Sequence, residues 1–290
     1  MTDIRQSDYW QIYLEKLGWK TVDTDSRKIF IRKIPFGSLI KVPRVESKIP
    51  FSKIDEIAKK EGAFFVKLET NSSVGDEKIL TELKSNKFQI DSWGLQPTKT
   101  IVIDLNPPEE MLLKNMEKDT RYSIRRSVRE GVVVERSIDI DKFLKLHKET
   151  SKRKGFWTSE RESKLLWNSL PSENKMILFA KKNKAILAGA FLMFYDNKAY
   201  YYEAASSKQN RELLAPYLVV WEAIKLSKEK GYKEFDFEGI IDHRIKATKK
   251  WAGFTHFKRG FGGKEVTYLG SFVKYYNPIV KLIFSLNRFF

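Results

Sequence analysis

The pattern of apolar and polar positions predicts a mixed α/β unit in the first third of the chain. Tyr13, Leu14 and Leu17 recur at the spacing of one helical face, which predicts a helix over residues 8–17. Alternating runs on either side of Phe36 predict a strand pair. A helix, a strand, a helix and a strand follow with short connections, over residues 52–61, 63–68, 77–86 and 100–105.

Capping residues predict where three of the helices begin. Ser52 and Ser159 each have an acidic residue three positions further on, which is the pattern of a capping box. The run NPPE from Asn106 combines a cap, a proline in the first turn and an early acid. It predicts a helix that continues, with or without a break, to Gly131.

The second half of the chain has a clearer order of elements. A helix over residues 141–155 and the helix after Ser159 precede three strands, over residues 176–182, 185–195 and 198–205. Tight turns join these strands into an antiparallel meander. The loop SSKQNREL, an amphipathic helix and a strand with alternating phenylalanines follow. This order is similar to the GNAT acyltransferase fold, so the predicted fold class is α/β (α+β), with mixed sheets flanked by helices.

Residues 243–264 concentrate positive charge, glycine and aromatic side chains. They contain seven Lys or Arg residues and no Asp or Glu, and so supply +7 of the chain's formal charge of +17. Glycines let backbone N–H groups approach an anion, and aromatic rings stack on a ligand or anchor the loop. A basic surface turn held by core phenylalanines explains the same composition, and both interpretations stay open. The glycines and aromatics are Gly253, Gly260, Gly262, Gly263, Trp251, Phe254, Phe257 and Phe261.

Composition and charge narrow the class of protein. The 290 residues favour two domains, and the 42 % hydrophobic and 31 % charged content is that of a globular protein. The chain has no cysteine and three scattered histidines, so we expect no disulfide and no metal site. Because no signal peptide or spanning segment is visible, we expect a cytoplasmic protein. The charge favours nucleic acid, a phosphorylated substrate or an anionic membrane face as partner.

Four stretches resemble the FemABX family of peptidoglycan aminoacyltransferases. They are QSDYWQIYLEKLGW, TRYSIRRSVREGVVVE, LLAPYLVVWEAIKLSKEKGYKEFDFEGI, and FTHFKRGFGG followed by YLG. The resemblance covers nearly the whole chain, and the last two stretches are its most specific part. It implies two GNAT-like domains, the first from residues 1–128 with the tail 265–290 returning to it, and the second from residues 129–264.

The resemblance also implies a reaction and its partners. Members of the family transfer an amino acid from aminoacyl-tRNA to the stem peptide of a UDP- or lipid-linked peptidoglycan precursor. It implies no cofactor, because aminoacyl-tRNA is the co-substrate. The apolar and basic last twenty residues either pack back on the protein or contact the inner face of the membrane.

The candidate site residues follow from the same resemblance. Phe257 and Lys258 match the family's catalytic FK pair, and Arg153 matches an arginine that contacts acceptor phosphate, with Arg161 as a competitor. Arg259, beside the lysine, and Arg125, in the middle of a row of arginines at helical spacing, are further candidates for substrate binding. Such a row is also typical of a solvated helix face.

One departure from the family pattern and the role of two acidic residues stay open. Leu14 stands where many members have a lysine, with Lys16 two positions on, so one acceptor contact is in doubt. Asp236 and Glu238 lie in the strand before Lys258, but a hydrogen-bonding role at the strand end is the favoured interpretation, and neither is assigned as a base.

Two other functions are compatible with the fold and the charge. An acyl-CoA-dependent GNAT enzyme needs a glycine-rich loop before its central helix, and the loop SSKQNRELLAP has no glycine. A non-catalytic protein that binds RNA or a membrane surface explains the charge, but not the order of the family's motifs.

Overall fold

The structure is a computed structural model that describes residues 2–24, 27–46, 48–91 and 93–286. The α-helices in this part of the chain are α1 (Asp8–Lys16), α2 (Phe51–Lys60), α3 (Glu77–Ser85), α4 (Glu109–Lys114), α5 (Lys118–Arg129), α6 (Ile140–Lys154), α7 (Glu160–Ser169), α8 (Ala215–Glu229), α9 (Ala252–Arg259) and α10 (Pro278–Leu286). The strands are β1 (Lys20–Thr24), β2 (Arg27–Ile34), β3 (Gly37–Val45), β4 (Ala63–Thr70), β5 (Gln89–Asp91), β6 (Lys99–Asp104), β7 (Val133–Ser137), β8 (Lys175–Lys182), β9 (Ala185–Tyr195), β10 (Lys198–Ser206), β11 (Glu234–Gly239), β12 (Lys264–Thr267) and β13 (Ser271–Tyr275).

The first compact unit combines Thr2–Thr98 with the chain from Thr267 onward. Its sheet has the order β1-β2-β3-β4-β13-β5, in which β3 and β4 are parallel and the other neighbours are antiparallel. Ile54 and Ile57 of α2 and Leu83 of α3 pack in one apolar core with β2, β3 and β4. This unit is a mixed sheet that carries amphipathic helices.

The second compact unit spans Lys99–Val266 and contains the predicted meander. Its sheet has the order β12-β6-β11-β10-β9-β8-β7, with β10 and β11 parallel. Helix α8 buries Leu218 and Ile224 in the core of one face. The other face carries α6 and α7, whose Phe143 and Trp167 rings both contact Phe191 of β9. The fold class is therefore the predicted one, with two mixed sheets flanked by helices.

The boundary between the two units lies at residues 98 and 99, whereas the resemblance implies a boundary after residue 128. Residues 99–128 lie in the second unit because β6 pairs with β11 and because Ile124 of α5 is buried in its core. The chain returns to the first unit through β13, which pairs with both β4 and β5.

One of the three predicted helix starts agrees with the structure. The Ser159 hydroxyl accepts a hydrogen bond from the Glu162 N–H at 3.2 Å and caps α7. The other two predictions are wrong, because α2 begins at Phe51 after Pro50 and α4 begins at Glu109 after Pro108. In both cases the proline carbonyl accepts the first intrahelical hydrogen bond, so the chain turns into the helix at the proline rather than at a side-chain cap.

None of the helices in the described part of the chain combines the length and the apolar character that a segment crossing a bilayer needs.

Candidate active site

The regular pairing of β10 and β11 ends where both strands carry bulges. Residues 198–200 of β10 pair in parallel with residues 234–236 of β11. Directly afterwards, β10 shifts register against β9 between Tyr201 and Glu203, and β11 shifts against β6 between Asp236 and Gly239. Bulges of this kind redirect side chains and are common beside active sites.

Asp236 stabilises the bulge in β11 rather than facing a ligand. Its buried carboxylate accepts a hydrogen bond from the Glu238 N–H at 2.8 Å, and the Thr100 hydroxyl lies 2.5 Å from the same oxygen. Glu238 itself has a φ of 58°, a conformation that a bulge can demand but that few non-glycine residues adopt. The hydrogen-bonding role that the sequence favours for Asp236 is thus the one observed.

Lys258 of α9 reaches the carbonyl groups that the bulge exposes. Its Nζ donates to the carbonyl oxygens of Phe237 and Gly239, both at 2.7 Å. The ammonium also lies 4.9 Å from the centre of the Phe254 ring, within the range of a cation–π contact. An ammonium has three N–H donors, so one remains without a protein acceptor in the described part of the chain. The lysine is therefore a fixed cation with one donor to spare.

Burial and nearby carboxylates set the charge state of Lys258 in opposite directions. Burial lowers the pKa of its side chain to about 8, although the Glu238 and Asp236 carboxylates act to raise it. A group with a pKa of about 8 is mostly protonated at neutral pH, so the side chain carries its charge under ordinary conditions.

A cavity of about 440 Å³ opens within the second unit, next to the Phe254 ring that contacts Lys258. Among the described residues, its wall contains three basic side chains and no acidic one, and it contains four aromatic rings. This combination suits an anionic ligand that also offers a flat, apolar surface. The basic residues are Arg153, Lys154 and Arg211, and the aromatic ones are Tyr201, Tyr217, Phe254 and Phe257.

Arg153 lies on the wall of this cavity and is held in position. It belongs to the last turn of α6, which ends at Gly155 in a left-handed conformation. Its guanidinium donates to the Ser206 carbonyl oxygen at 2.8 Å and contacts the Ser206 hydroxyl at 2.9 Å, at the end of β10. Its competitor Arg161 is exposed on α7 and is not among the residues that line the cavity.

Phe257 also lines the cavity, and its ring has a defined packing. It meets Tyr217 of α8 edge to face, with ring centres 4.9 Å apart, and contacts the buried Phe261 ring at 5.2 Å. Phe257 therefore forms part of the cavity wall, whereas Lys258 does not line the cavity and adjoins it through the contact of its ammonium with the Phe254 ring.

Arg259 and Arg125 lie elsewhere. The Arg259 guanidinium forms an ion pair with Glu265 at 2.7 Å. Burial acts to raise the pKa of the Glu265 carboxyl, but hydrogen bonds from Lys99 and Arg259 outweigh it and lower the pKa. Arg125 is exposed on α5. In the same row, Arg121 donates to the carbonyl oxygens of Lys114 and Met116 and so stabilises the end of α4. Neither predicted arginine contributes to the wall of the cavity.

Two glycines after Lys258 allow a close approach of the backbone. Gly262 and Gly263 have φ values of 79° and 92°, which favour glycine. A Cβ at Gly262 would lie 2.9 Å from the Asn115 carbonyl oxygen, and one at Gly263 would lie 2.7 Å from that of Val102. Close backbone packing therefore accounts for these two glycines.

The first unit holds the position at which the sequence departs from the family pattern. Leu14 is almost fully buried in the core beneath α1, and Lys16 is exposed on the same helix. A buried leucine cannot contact phosphate, so any basic contact from this helix comes from another residue.

The sequence did not predict several residues of the cavity wall. Lys154, Arg211 and Tyr217 lie on a helix end, a loop and the start of α8, and the fold alone brings them together. The one signal was the position of Tyr217 directly after Pro216, in the first turn of a helix that follows the meander.

Comparison with known proteins places the chain in a family. The model of the FemAB family matches residues 51–163 and 167–287. The chain belongs to the FemAB family. A relative from Staphylococcus haemolyticus (strain JCSC1435), named lipid II:glycine glycyltransferase, is 24 % identical over 305 residues, which cover 79 % of this chain and 73 % of that protein. Family membership and the relative's name together identify the chain as an enzyme that transfers aminoacyl groups.

Solved structures show the same fold. The crystal structure of FemX is similar with a TM-score of 0.83 and 21 % identity, and the match covers 97 % of this chain and 94 % of FemX. A tandem GNAT protein from the clavulanic acid biosynthesis pathway is similar with a TM-score of 0.53 and 8 % identity, over 87 % and 83 % of the two chains. Each unit of this FemAB protein is thus GNAT-like.

Proposed function

We propose that this FemAB protein transfers an amino acid from aminoacyl-tRNA to the stem peptide of a lipid-linked peptidoglycan precursor, without a cofactor. The observation that carries the proposal is the buried Lys258 cation, which two carbonyl groups hold beside a basic, aromatic cavity. The name of the relative, a lipid II:glycine glycyltransferase, supports a lipid-linked acceptor and a cross-bridge product.

The chemistry needs positioning and charge stabilisation more than bond activation. The acceptor amine attacks the carbonyl carbon of the aminoacyl ester, and negative charge develops on the carbonyl oxygen. The free N–H of Lys258 stabilises that oxygen, as a fixed donor in an oxyanion site does. The ester C–O bond then breaks, the amide forms, and the ribose oxygen takes up the proton that the amine loses. Holding the two reactants together contributes about 7–11 kcal/mol in favourable model systems.

The wall of the cavity supports tRNA as the donor. Lys154 and Arg211 provide charge for the phosphates of the acceptor end, and no acidic side chain opposes them in the wall that the described residues form. The rings of Tyr217 and Phe254 provide surfaces on which a terminal base stacks. We assign Arg153 to the acceptor, whose pyrophosphate it contacts as the family resemblance implies.

Hydrogen bonding in the loop before α8 argues against acyl-CoA as the donor. GNAT enzymes that use CoA leave the N–H groups of this loop free for the pyrophosphate. Here the N–H groups of Gln209, Leu213, Leu214 and Tyr217 already donate to oxygens of the same loop, and Pro216 has no N–H. The loop therefore offers a poor cradle for phosphate.

A purely non-catalytic role in binding RNA or membranes also fits poorly. Burying a lysine disfavours its charged form, and a protein that only binds polyanions gains nothing from it. Lys258 contributes little to surface charge, because it is 9 % exposed. Its position is explained by a reaction in which charge develops.

The test is the transfer of label from a mixed pool of charged tRNAs to lipid-linked precursor. We expect labelled precursor, and we expect the labelling to be abolished by RNase treatment. A parallel reaction with labelled acetyl-CoA should give no labelled precursor. Absence of RNase-sensitive labelling together with acetyl transfer would overturn the proposed donor. Resolution of the pool by amino acid then identifies the residue that is transferred.

A further inference from the structure

One end of the first unit exposes apolar side chains that the proposed reaction does not use. Phe36, in the turn between β2 and β3, is fully exposed. Helix α10 exposes Ile279, Leu282 and Ile283, which lie three and four residues apart and so share one helix face. We call this end of the unit, with the Phe36 turn and the exposed face of α10, the apolar end.

The fold brings the turn and the helix together. The Ser38 N–H, just after the turn, donates to the Gly62 carbonyl oxygen at 3.1 Å, next to the start of β4. The N–H groups of Tyr276 and Asn277, just before α10, donate to the carbonyl oxygen of Phe64 at 3.0 and 3.2 Å. Both features are therefore anchored to the same three-residue stretch of the first sheet.

Phe36 occupies a position that ordinarily favours a different residue. Its φ of 67° lies in the left-handed region, where a two-residue turn usually carries asparagine or glycine. A phenylalanine there is strained, and its full exposure to water is unfavourable as well. The stability of the turn does not explain why a phenylalanine occupies position 36. Contact of its ring with an apolar partner outside the turn is the simplest physical explanation.

Hydrogen bonds anchor the start of α10 and so set the direction of its exposed face. The Asn277 side-chain oxygen accepts hydrogen bonds from the N–H groups of Ile279 and Val280, at 2.9 and 3.1 Å, and so caps the helix. The preceding Lys274 forms an ion pair with Asp55 of α2 at 2.6 Å. The apolar face therefore belongs to a helix whose first turn is tied to the sheet and to α2.

Basic side chains surround the apolar end. Lys59 and Lys60 are exposed in the last turn of α2, which leads directly into β4, and Lys281 is exposed on α10. Lys33, beside the Phe36 turn, and Lys20 both pair with Glu61, at 2.8 and 3.1 Å, so that the carboxylate is more than neutralised. From Val266 to Phe290 the sequence contains three basic residues and no acidic one.

We propose that the apolar end docks on a membrane surface that contains anionic lipids. Exposed apolar residues within a basic collar are the chemistry that such a surface binds, because rings and aliphatic chains enter the interface while lysines contact the headgroups. The inference rests on the proposed function, since a lipid-linked acceptor lies in that membrane. Docking would hold the enzyme at the surface where its acceptor is concentrated.

Sedimentation of the full chain with lipid vesicles tests the proposal. We expect binding to vesicles that contain phosphatidylglycerol and little binding to vesicles of phosphatidylcholine alone. Phe36→Asn, which suits the turn, and the triple change Ile279→Ser, Leu282→Ser, Ile283→Ser should each weaken binding by about tenfold or more. Ile138→Ser is the matched control, because Ile138 is 85 % exposed in the second unit and should leave binding unchanged.

The outcomes separate this proposal from the proposed function. A water-soluble analogue of the precursor should be aminoacylated equally well by wild type and by both variants, whereas precursor embedded in vesicles should be modified more slowly by the variants. Transfer to the soluble analogue without vesicle binding would overturn the docking proposal and leave the function intact. A wild-type dimer in sedimentation velocity that Phe36→Asn converts to monomer, without vesicle binding, would show that the apolar end joins two copies and would also overturn it.

Discussion

At the scale of the residue, Lys258 is a charged side chain in a position where burial disfavours charge. Burial lowers the pKa of this side chain to about 8, although the Glu238 and Asp236 carboxylates act to raise it, and its ammonium donates to two carbonyl groups at 2.7 Å. Hydrogen bonds to a charged donor are roughly twice as strong as neutral ones, which explains how the cation stays in place. The pKa of Lys258 therefore lies near the upper end of the physiological pH range.

The pKa of Lys258 predicts how the transfer rate depends on pH. Burial lowers this pKa, so the cation is present below about pH 8 and is lost as the pH rises through that value. We expect kcat/KM to decline above about pH 8, after correction for spontaneous hydrolysis of the ester. Initial rates between pH 6.5 and 9.5 check this expectation. A rate that keeps rising to the upper limit would show that the charge on Lys258 is not required.

Glu203, at the bulge in β10, predicts a second pH effect, on stability. Its carboxylate accepts a hydrogen bond from the Ser163 hydroxyl at 2.7 Å, and its other oxygen lies 3.8 Å from Nδ1 of His147. Burial raises the pKa of Glu203 to about 7 and lowers that of His147. Because its pKa is raised in the folded state, the protonated Glu203 carboxyl stabilises the fold at low pH. This contribution to the free energy of unfolding is lost as the pH rises through about 7.

The change Glu203→Gln should therefore stabilise the protein at high pH. Relative to wild type, we expect the free energy of unfolding to rise by about 1–3 kcal/mol between pH 5.5 and pH 8.5. Urea unfolding at both pH values measures the difference. Glu149→Gln, at an exposed position of α6, is the control and should show no such change. Equal effects of Glu203→Gln at the two pH values would contradict a buried, ionisable Glu203.

At the scale of the element, regular periods made most of the second unit predictable, and α9 was the exception. The meander and α8 have clear alternating or helical patterns, so their positions follow from the sequence. In α9 the buried positions include the polar Thr255 and Lys258, while Phe254 is 41 % exposed towards the cavity. The inward face of α9 is thus not apolar, and no periodicity predicts a helix that carries a functional lysine inward.

The turn after α9 gives a stability prediction at the same scale. Gly263→Ala forces a Cβ within 2.7 Å of the Val102 carbonyl oxygen at a φ of 92°, so we expect a loss of about 2–4 kcal/mol in the free energy of unfolding. Gly253→Ala is the matched control, because its Cβ would meet no atom within 4 Å and alanine favours helix. Thermal unfolding compares the two, and equal melting temperatures would contradict the close approach.

At the scale of the whole molecule, the family resemblance predicted the fold class, whereas the compact units of the structure divide the chain at a different position from the one that the resemblance implies. Residues 99–128 look like a continuation of the first unit because the connections around them are short. Pairing of β6 with β11 places them in the second unit, and such long-range pairing leaves no local signal in the sequence. For the same reason the sequence did not reveal which arginines line the cavity: Arg153 does, whereas Arg125 and Arg259 do not.

Single-turnover transfer from charged tRNA to precursor, by wild type and by Lys258→Met, tests the central claim most directly. Methionine fills a similar volume without charge but leaves the Phe237 and Gly239 carbonyl groups without this donor, so urea unfolding should show a folded protein of somewhat lower stability. We expect the transfer rate of the variant to fall by about 10²–10³, because one donor to the developing negative charge is lost. A variant that is folded and transfers within about twofold of the wild-type rate would remove Lys258 from the reaction and contradict the proposed site.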